Sequence, residues 1–112
     1  MGAGAGTATG GAADIVTYAT AKGGILSLTY SLALKLGPTD NIRVNAVVPG
    51  AVRTERQMRL WQTPASQAAI VARQAIRRDL MPEDIAQTVL FLASDQSAMI
   101  TRQMIAVNGG LR

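Results

Sequence analysis

The sequence predicts an α/β protein built around parallel strands, and three observations support this. Two short apolar runs, residues 42–48 and 103–107, have the composition of buried strands. Segments with helical periodicity separate them, and a long helical segment precedes the first run. Strands joined through helices form a right-handed parallel crossover. Two strands do not make a complete sheet, so we expect the chain to be the end of something larger or to be completed by partners.

Composition limits the chemistry that the chain can perform. The 112 residues are 48% hydrophobic and 16% charged, which is typical of one folded domain. The absence of cysteine and histidine excludes disulfide scaffolds, thiolate metal sites and the Ser-His-Asp triad, and no metal site is expected. Proton transfer must therefore use Tyr, Lys, Asp or Glu. The net charge of +4 permits anionic partners such as nucleotide cofactors.

Nucleic-acid and membrane partners are not expected. Aromatic residues make up only 4% of the chain, which leaves few groups to stack on bases. No apolar run approaches the roughly 18 residues that a membrane span needs, and no signal peptide is visible. These features predict a cytoplasmic protein.

The N-terminal third is predicted to be a loop followed by one long helix. Residues 1–13, almost entirely Gly, Ala and Thr, predict a flexible loop, and the spacing of their glycines does not fit a phosphate-binding turn. Residues 15–36 predict a helix with Thr17 as N-cap and a stop at Gly37-Pro38. It has apolar side chains on two faces, so we expect burial on both sides, between a sheet and another subunit.

The remaining segments alternate between helices and loops. Residues 51–63 predict a loop with a short helical piece, and residues 64–78 predict a second helix with Ala75 and Ile76 on its apolar side. Pro82 opens a third helix, where Glu83 and Asp84 suit the helix dipole. The buried stripe of this third helix is predicted to comprise Ile85, Val89, Leu92 and Ala93.

Tyr18 and Lys22 form the sharpest candidate for chemistry. Four residues on a helix is one turn, so both side chains project from the same face. A phenol with the ordinary pKa near 10 is a poor acid or base at neutral pH, but an ammonium within about 4–6 Å favours the ionised phenol. The pair alone is also compatible with a Tyr and a Lys that merely share a helix face.

Several further motifs follow this pair in a recognisable order. They are Asn41-Ile42-Arg43-Val44-Asn45-Ala46-Val47-Val48-Pro49-Gly50, Pro82-Glu83-Asp84-Ile85-Ala86, Leu90-Phe91-Leu92-Ala93-Ser94-Asp95 and Asn108-Gly109-Gly110. Together with the Tyr-Lys pair, they resemble the C-terminal half of the classical short-chain dehydrogenases/reductases over residues 14–112. The resemblance implies the C-terminal part of a Rossmann-like doubly wound sheet, carrying the catalytic and substrate-lid segment and lacking the N-terminal dinucleotide-binding half.

The resemblance also implies roles for particular residues. Tyr18 would exchange a proton with the substrate oxygen during hydride transfer, and Lys22 would bind the nicotinamide ribose of NAD or NADP. The segment Pro49-Gly50-Ala51-Val52-Arg53-Thr54 matches the loop along the nicotinamide, where Val52 and Thr54 would contact the cofactor. The region from residue 55 to about residue 80 matches the substrate lid, with Arg56 and Trp61 as candidate substrate contacts.

The resemblance is compatible with two substrate classes and with either a catalytic or an assembly role. Residues 54–64 look most like members that oxidise aldose sugars at C1, while reductases of 3-oxoacyl thioesters share the same frame. Without the rest of the cofactor site, and without a clear equivalent of the catalytic serine near Thr7 or Thr9, we expect the chain alone to be weakly active or inactive. The alternative is a non-catalytic assembly module that forms homo-oligomers through the 15–36 helix and the final strand.

Overall fold

Two short parallel strands lie at the centre of the structure, a computed structural model that describes residues 12–60 and 62–112. The described elements, in chain order, are α1 (Ala12–Asp40), β1 (Ala46–Pro49), α2 (Glu55–Leu60), α3 (Pro64–Ala72), α4 (Pro82–Ala93), a 3₁₀ turn (Asp95–Ser97) and β2 (Met104–Val107). β1 and β2 pair in parallel, with Ala46 opposite Met104 and Pro49 opposite Val107. The predicted α/β class and the parallel crossover are confirmed.

The core lies on the face of the sheet that α4 covers. Val47, Leu80 and Ile85 are buried together, and Val52, Leu92 and Val107 pack against them. Side chains alternate along a strand, so Ala46 projects to the opposite face, where α1 packs against β1. Ala46 and Ala33 are buried on that side. Met104 and Ala106 of β2 are exposed there, so within the described residues this face of β2 is open.

The predicted ends of the first helix are wrong. α1 begins at Ala12, so Thr17 lies inside the helix and is not its N-cap. It also continues through Gly37 and Pro38 to Asp40, and the left-handed residue is Asn41, with φ of 53°. The N–H of Asn41 donates to the carbonyl of Gly37 at 3.0 Å. An asparagine tolerates the left-handed conformation, so it provides the helix end that was predicted at glycine.

Only one of the two apolar faces of α1 is covered. The stripe of Tyr18, Lys22, Ile25, Thr29, Leu32 and Leu36 is buried or half-buried along its whole length. On the second face, Ala33 is buried but Leu34 is 61% exposed and Tyr30 is 37% exposed. The predicted burial on both sides therefore does not occur within the described part of this chain.

Two further predicted boundaries are corrected. The first strand begins at Ala46 rather than at residue 42, and Ile42 is exposed. The helix predicted over residues 64–78 ends at Ala72, because the backbone that follows it bonds to the C-terminal segment of the chain. The N–H of Ile76 donates to the carbonyl of Gly109 at 2.9 Å. The side-chain amide of Gln74 donates to the carbonyls of Ile76 and Arg78, at 2.9 and 2.8 Å. These bonds hold residues 73–78 in a turn, so Ala75 and Ile76 are exposed and do not form a helical face.

The predicted third helix is present as α4, with part of its predicted buried stripe. Ile85 is buried and Leu92 packs on the core, whereas Val89 and Ala93 are exposed. Asp84 secures the start of the helix, because its carboxylate accepts the N–H of Met81 at 2.8 Å. Both terminal nitrogens of Arg78 also donate to this carboxylate, at 2.8 and 2.7 Å. These contacts lower the pKa of Asp84 to about 2.

A close backbone approach joins the ends of the two strands. The N–H of Gly50 donates to the carbonyl of Val107 at 2.9 Å, which continues the sheet by one residue. A Cβ at position 50 would lie 2.7 Å from Asn108 Cβ and 2.9 Å from Asn108 Cα. Position 50 must therefore be glycine for the two strand ends to meet.

No helix in the described part of the chain has the length and apolar character to cross a bilayer. Of the segment predicted as a loop, residues 1–11 lie outside the described residues, and Ala12 and Ala13 begin α1.

We predict that Gly50→Ala destabilises the protein by about 1–3 kcal/mol, the usual range for overpacking. The added methyl group would collide with the backbone of Asn108, which cannot rotate away as a flexible side chain could. The measurement is the midpoint of urea unfolding. Gly23→Ala is the matched control, because a Cβ at position 23 has no neighbour within 4 Å and alanine favours a helix. Equal stability of the two variants would contradict the prediction.

We predict that Asp84 stabilises the fold above its ordinary carboxyl pKa of 3.8 and that this contribution is lost as the pH falls toward 2. The pKa is lower in the folded than in the unfolded chain, so the unfolded state takes up the proton first on acidification. The measurement is the free energy of unfolding of the wild type and of Asp84→Asn between pH 6 and pH 2, where the difference should shrink. Glu83→Gln, in the same helical turn, is the control; an identical pH dependence for both variants would contradict the assignment.

Candidate active site

α1 brings together the two residues predicted to carry proton transfer. The ammonium nitrogen of Lys22 lies 5.4 Å from the centre of the Tyr18 ring, in the geometry of a cation–π contact. Both side chains are half-buried on the stripe of α1 that packs inward. The pair therefore shares one helix face, which is the arrangement that the proton-transfer hypothesis requires.

The loop predicted to line the nicotinamide follows β1 at the same end of the molecule. α1 and β1 pack together and are joined only by residues 41–45, so the chain reverses direction between them. The N-terminal part of α1, with Tyr18 and Lys22, therefore lies toward the end at which β1 leaves the sheet. Pro49 is the last residue of β1, and Gly50 begins the loop.

Backbone hydrogen bonds hold this loop in a defined conformation. The N–H of Val52 donates to the carbonyl of Gly50 at 3.0 Å, and the carbonyl of Val52 accepts the N–H of Thr54 at 3.0 Å. The N–H of Arg53 donates to the carbonyl of Leu80 at 2.7 Å, beside a parallel bridge between Val52 and Leu80. The loop is thus attached through Leu80, a core residue, to the segment that precedes α4.

Thr54 connects the loop to the lid segment. Its hydroxyl oxygen accepts the N–H of Gln57 at 3.1 Å, so Thr54 caps the start of α2. Its carbonyl accepts the N–H of Met58 at 3.0 Å. The residue predicted to contact the cofactor is therefore also the residue that sets the position of α2.

A polar network joins the loop to α3. The guanidinium of Arg53 forms an ion pair with the carboxylate of Asp79. The other oxygen of that carboxylate accepts a hydrogen bond from the side-chain amide of Gln67 at 2.8 Å. The Gln67 amide and then the Arg53 guanidinium hold the pKa of Asp79 below its usual range. This network links the loop after β1 to α3 through a single carboxylate.

An open cleft of about 690 Å³ lies beside this network. Its lining residues are Arg53, Met58, Gln62, Thr63, Pro64, Gln67, Ala68, Val71, Ala72 and Asp79. They come from α2, α3 and the segments beside them, which is the region predicted to be the substrate lid. A volume of this size suits a small-molecule ligand.

One of the two candidate substrate contacts predicted from the sequence lies away from this cleft. Arg56 lies exposed on α2 and is absent from the lining, and Trp61 lies outside the described residues. Sequence reasoning missed Gln62, Gln67 and Asp79, because polar residues in a loop-rich segment have no periodic signal. Within residues 12–60 and 62–112, no three acidic side chains gather in the manner of a metal site.

Comparison with known proteins identifies relatives over most of the chain. A family model described as enoyl-(acyl carrier protein) reductase matches residues 4–112. A probable galactose dehydrogenase of Rhizobium meliloti is 53% identical over 98 residues, which is 88% of this chain and 38% of that protein. D-xylose 1-dehydrogenase of Caulobacter vibrioides is 47% identical over 102 residues, 91% of this chain and 40% of that protein. The chain thus spans about two fifths of the length of these curated relatives.

A solved structure agrees with the sequence relatives. A 3-oxoacyl-[acyl-carrier protein] reductase from Brucella melitensis with bound NAD superposes with a TM-score of 0.71 at 36% identity, covering 84% of this chain and 32% of that one. The parallel strands, the Tyr-Lys helix and the loop after β1 thus occur in a chain whose relatives are dehydrogenases and reductases. The chain belongs to the short-chain dehydrogenase/reductase family.

Proposed function

We propose that this chain supplies the proton-transfer and nicotinamide-facing part of an NAD(P)-dependent oxidoreductase that oxidises a sugar at its C1 hydroxyl. The observation that carries the proposal is the contact between the Lys22 ammonium and the Tyr18 ring, on the inward stripe of α1. Phenol and ammonium together provide proton chemistry in a chain that contains no histidine and no cysteine.

In the proposed reaction, the Tyr18 hydroxyl oxygen takes the proton of the substrate hydroxyl. A nicotinamide group, when bound, supplies the acceptor for the hydride from the same carbon. The phenolate oxygen of Tyr18 is the base in this step, and the three N–H donors of the Lys22 ammonium suit the hydroxyl oxygens of a ribose. Oxidation of an aldose at C1 in this manner yields a lactone.

The loop after β1 has backbone groups that fit a nicotinamide carboxamide. The carbonyl of Val52 accepts one hydrogen bond, from Thr54, and a carbonyl oxygen has two lone pairs. One acceptor position of Val52 thus remains for the carboxamide NH₂. The N–H of Val52 already donates to Gly50, so a carboxamide oxygen would have to share or replace that bond. Pro49 and Gly50 determine the direction in which this loop leaves β1. The hydroxyl of Thr54 still has its O–H available as a hydrogen-bond donor to the cofactor.

The relatives favour a sugar over a 3-oxoacyl thioester as substrate. The two curated relatives described above, at 53% and 47% identity, are named as galactose and xylose dehydrogenases. The 3-oxoacyl reductase of known structure is less similar, at 36% identity. A thioester reductase is the alternative within the same reaction class, because both substrates present an oxygen that exchanges a proton as hydride moves.

We predict that the 112-residue chain alone turns over D-galactose and D-xylose at least about 100-fold more slowly than a fusion protein. The fusion joins it to the N-terminal part of the Rhizobium relative. Correct orientation of cofactor and substrate lowers the activation free energy of such reactions by roughly 7–11 kcal/mol. In the proposed enzyme, most of the contacts that orient the cofactor lie outside this chain. The measurement is NAD(P)H formation at 340 nm. Equal rates for chain and fusion protein would contradict this.

We predict that Tyr18→Phe in the fusion protein lowers kcat by about 10²–10⁴-fold, the usual contribution of acid–base catalysis. The matched control is Tyr30→Phe, which removes the same hydroxyl from the same helix, where Tyr30 contacts Arg102 instead. If Tyr18 transfers the proton, kcat falls strongly in Tyr18→Phe and changes little in Tyr30→Phe. Similar kcat values for both variants would contradict the proposed role of Tyr18.

A second candidate function is a non-catalytic assembly module, and the outer face of α1 favours it. On that face, 64% of Val16, 37% of Tyr30 and 61% of Leu34 is exposed. Large apolar side chains grouped on one surface are typical of protein–protein contacts. In this alternative, copies of the chain associate through α1 and the open face of β2.

We predict that Val16→Glu together with Leu34→Glu shifts the chain toward monomer, because burying an unpaired charge in an apolar contact is unfavourable. Sedimentation velocity measures the state of assembly, and NADH fluorescence measures cofactor binding in parallel. Assembly without NADH binding supports the module, and NADH binding with turnover supports the enzyme. An unchanged sedimentation coefficient in the double variant would contradict assembly through α1.

A further inference from the structure

The cleft between α2 and α3 contains two buried acceptors that accept no hydrogen bond. The side-chain amide oxygens of Gln62 and Gln67 are both shielded from solvent, and neither has a partner among the residues that the structure describes. Gln67 as a whole is only 8% exposed. Buried polar atoms are nearly always paired, so two orphan acceptors in one cleft indicate donors that the described residues do not supply.

The orientation of Gln67 is set by its neighbour. Its amide nitrogen donates to Asp79 at 2.8 Å, and Asp79 is an acceptor as well as the partner of Arg53. An exchange of nitrogen and oxygen would place the amide oxygen against a carboxylate, which is repulsive. The amide oxygen of Gln67 therefore remains the acceptor that lacks a donor.

Most of the other lining residues of the cleft are apolar, and one is acidic. The apolar lining residues include Met58, Pro64, Ala68 and Val71, and the acidic one is Asp79, which contributes a carboxylate. A complementary ligand needs several hydrogen-bond donors together with C–H surface. A small molecule rich in hydroxyl groups has both properties.

We propose that this cleft binds a polyhydroxy molecule, whose hydroxyls donate to the amide oxygens of Gln62 and Gln67. Resting on the proposed sugar dehydrogenase function, the inference assigns these two residues as determinants of substrate specificity. An acyl chain has no donors for the two oxygens and would leave both unpaired, which disfavours the thioester alternative. The cleft adjoins the nicotinamide-facing loop through Arg53, so a sugar seated there lies beside that loop.

The test is an NMR titration of the ¹⁵N-labelled 112-residue chain with D-galactose and D-xylose, without cofactor, and with 1,4-dioxane, which has no hydrogen-bond donor, as the comparison. We expect at least one sugar to move the side-chain amide signals of Gln62 and Gln67, and dioxane to leave them in place. Gln62→Leu should weaken sugar binding by about tenfold, the equivalent of one hydrogen bond. It should not lower the unfolding temperature, because the lost oxygen has no partner.

The matched control is Gln87→Leu, the same change of side chain at a residue that is exposed on α4 and outside the cleft. It should bind the sugars as the wild type does. The cleft assignment is overturned if neither sugar moves the two amide signals, or if the two variants bind equally well. Sugar binding without turnover in the fusion protein would overturn the dehydrogenase and leave the cleft standing. If the fusion protein turns over the sugars and Gln62→Leu leaves the KM for the sugar unchanged, the cleft assignment is overturned and the dehydrogenase proposal stands.

Discussion

The close contact between the ends of the two strands is the constraint on which the candidate site depends. Gly50 donates to Val107 at 2.9 Å and leaves no space for a side chain against Asn108. Further along the loop, the N–H of Arg53 donates at 2.7 Å to the carbonyl of Leu80, a core residue just before α4. A loop held at both points presents its backbone groups in one conformation. Binding groups that are positioned before the ligand arrives cost less entropy on binding.

Polar contacts also link the loop after β1 to α3. Asp79 is bonded to Arg53 in the loop and to Gln67 on α3, so its carboxylate joins two segments that hydrophobic packing alone does not join. Asp84 performs a similar task at the start of α4, where it binds both Arg78 and the backbone of Met81. Surface ion pairs contribute little stability individually, but here each carboxylate also bonds a second group and thereby fixes a chain direction.

The candidate functional groups lie on elements of very different length. Tyr18 and Lys22 lie on a helix of 29 residues that packs against β1. The residues that line the cleft lie on and beside α2 and α3, which have 6 and 9 residues and few buried side chains. The candidate proton-transfer pair and the cleft thus lie on separate elements of the chain.

The sequence by itself determined the α/β class, the parallel strands and the shared helix face of Tyr18 and Lys22, because each depends on local periodicity. Residues that commonly end helices predicted the helix boundary less well. Gly37-Pro38 does not end α1, because Asn41, further along the chain, adopts the left-handed conformation that ends it. Only the tertiary structure decided that the helix after Pro64 stops at Ala72, because the backbone beyond it bonds to Gly109 after β2. It also decided the pairing of Asp79 and the orphan oxygens of Gln62 and Gln67, because such contacts join residues with no periodic relation in the chain.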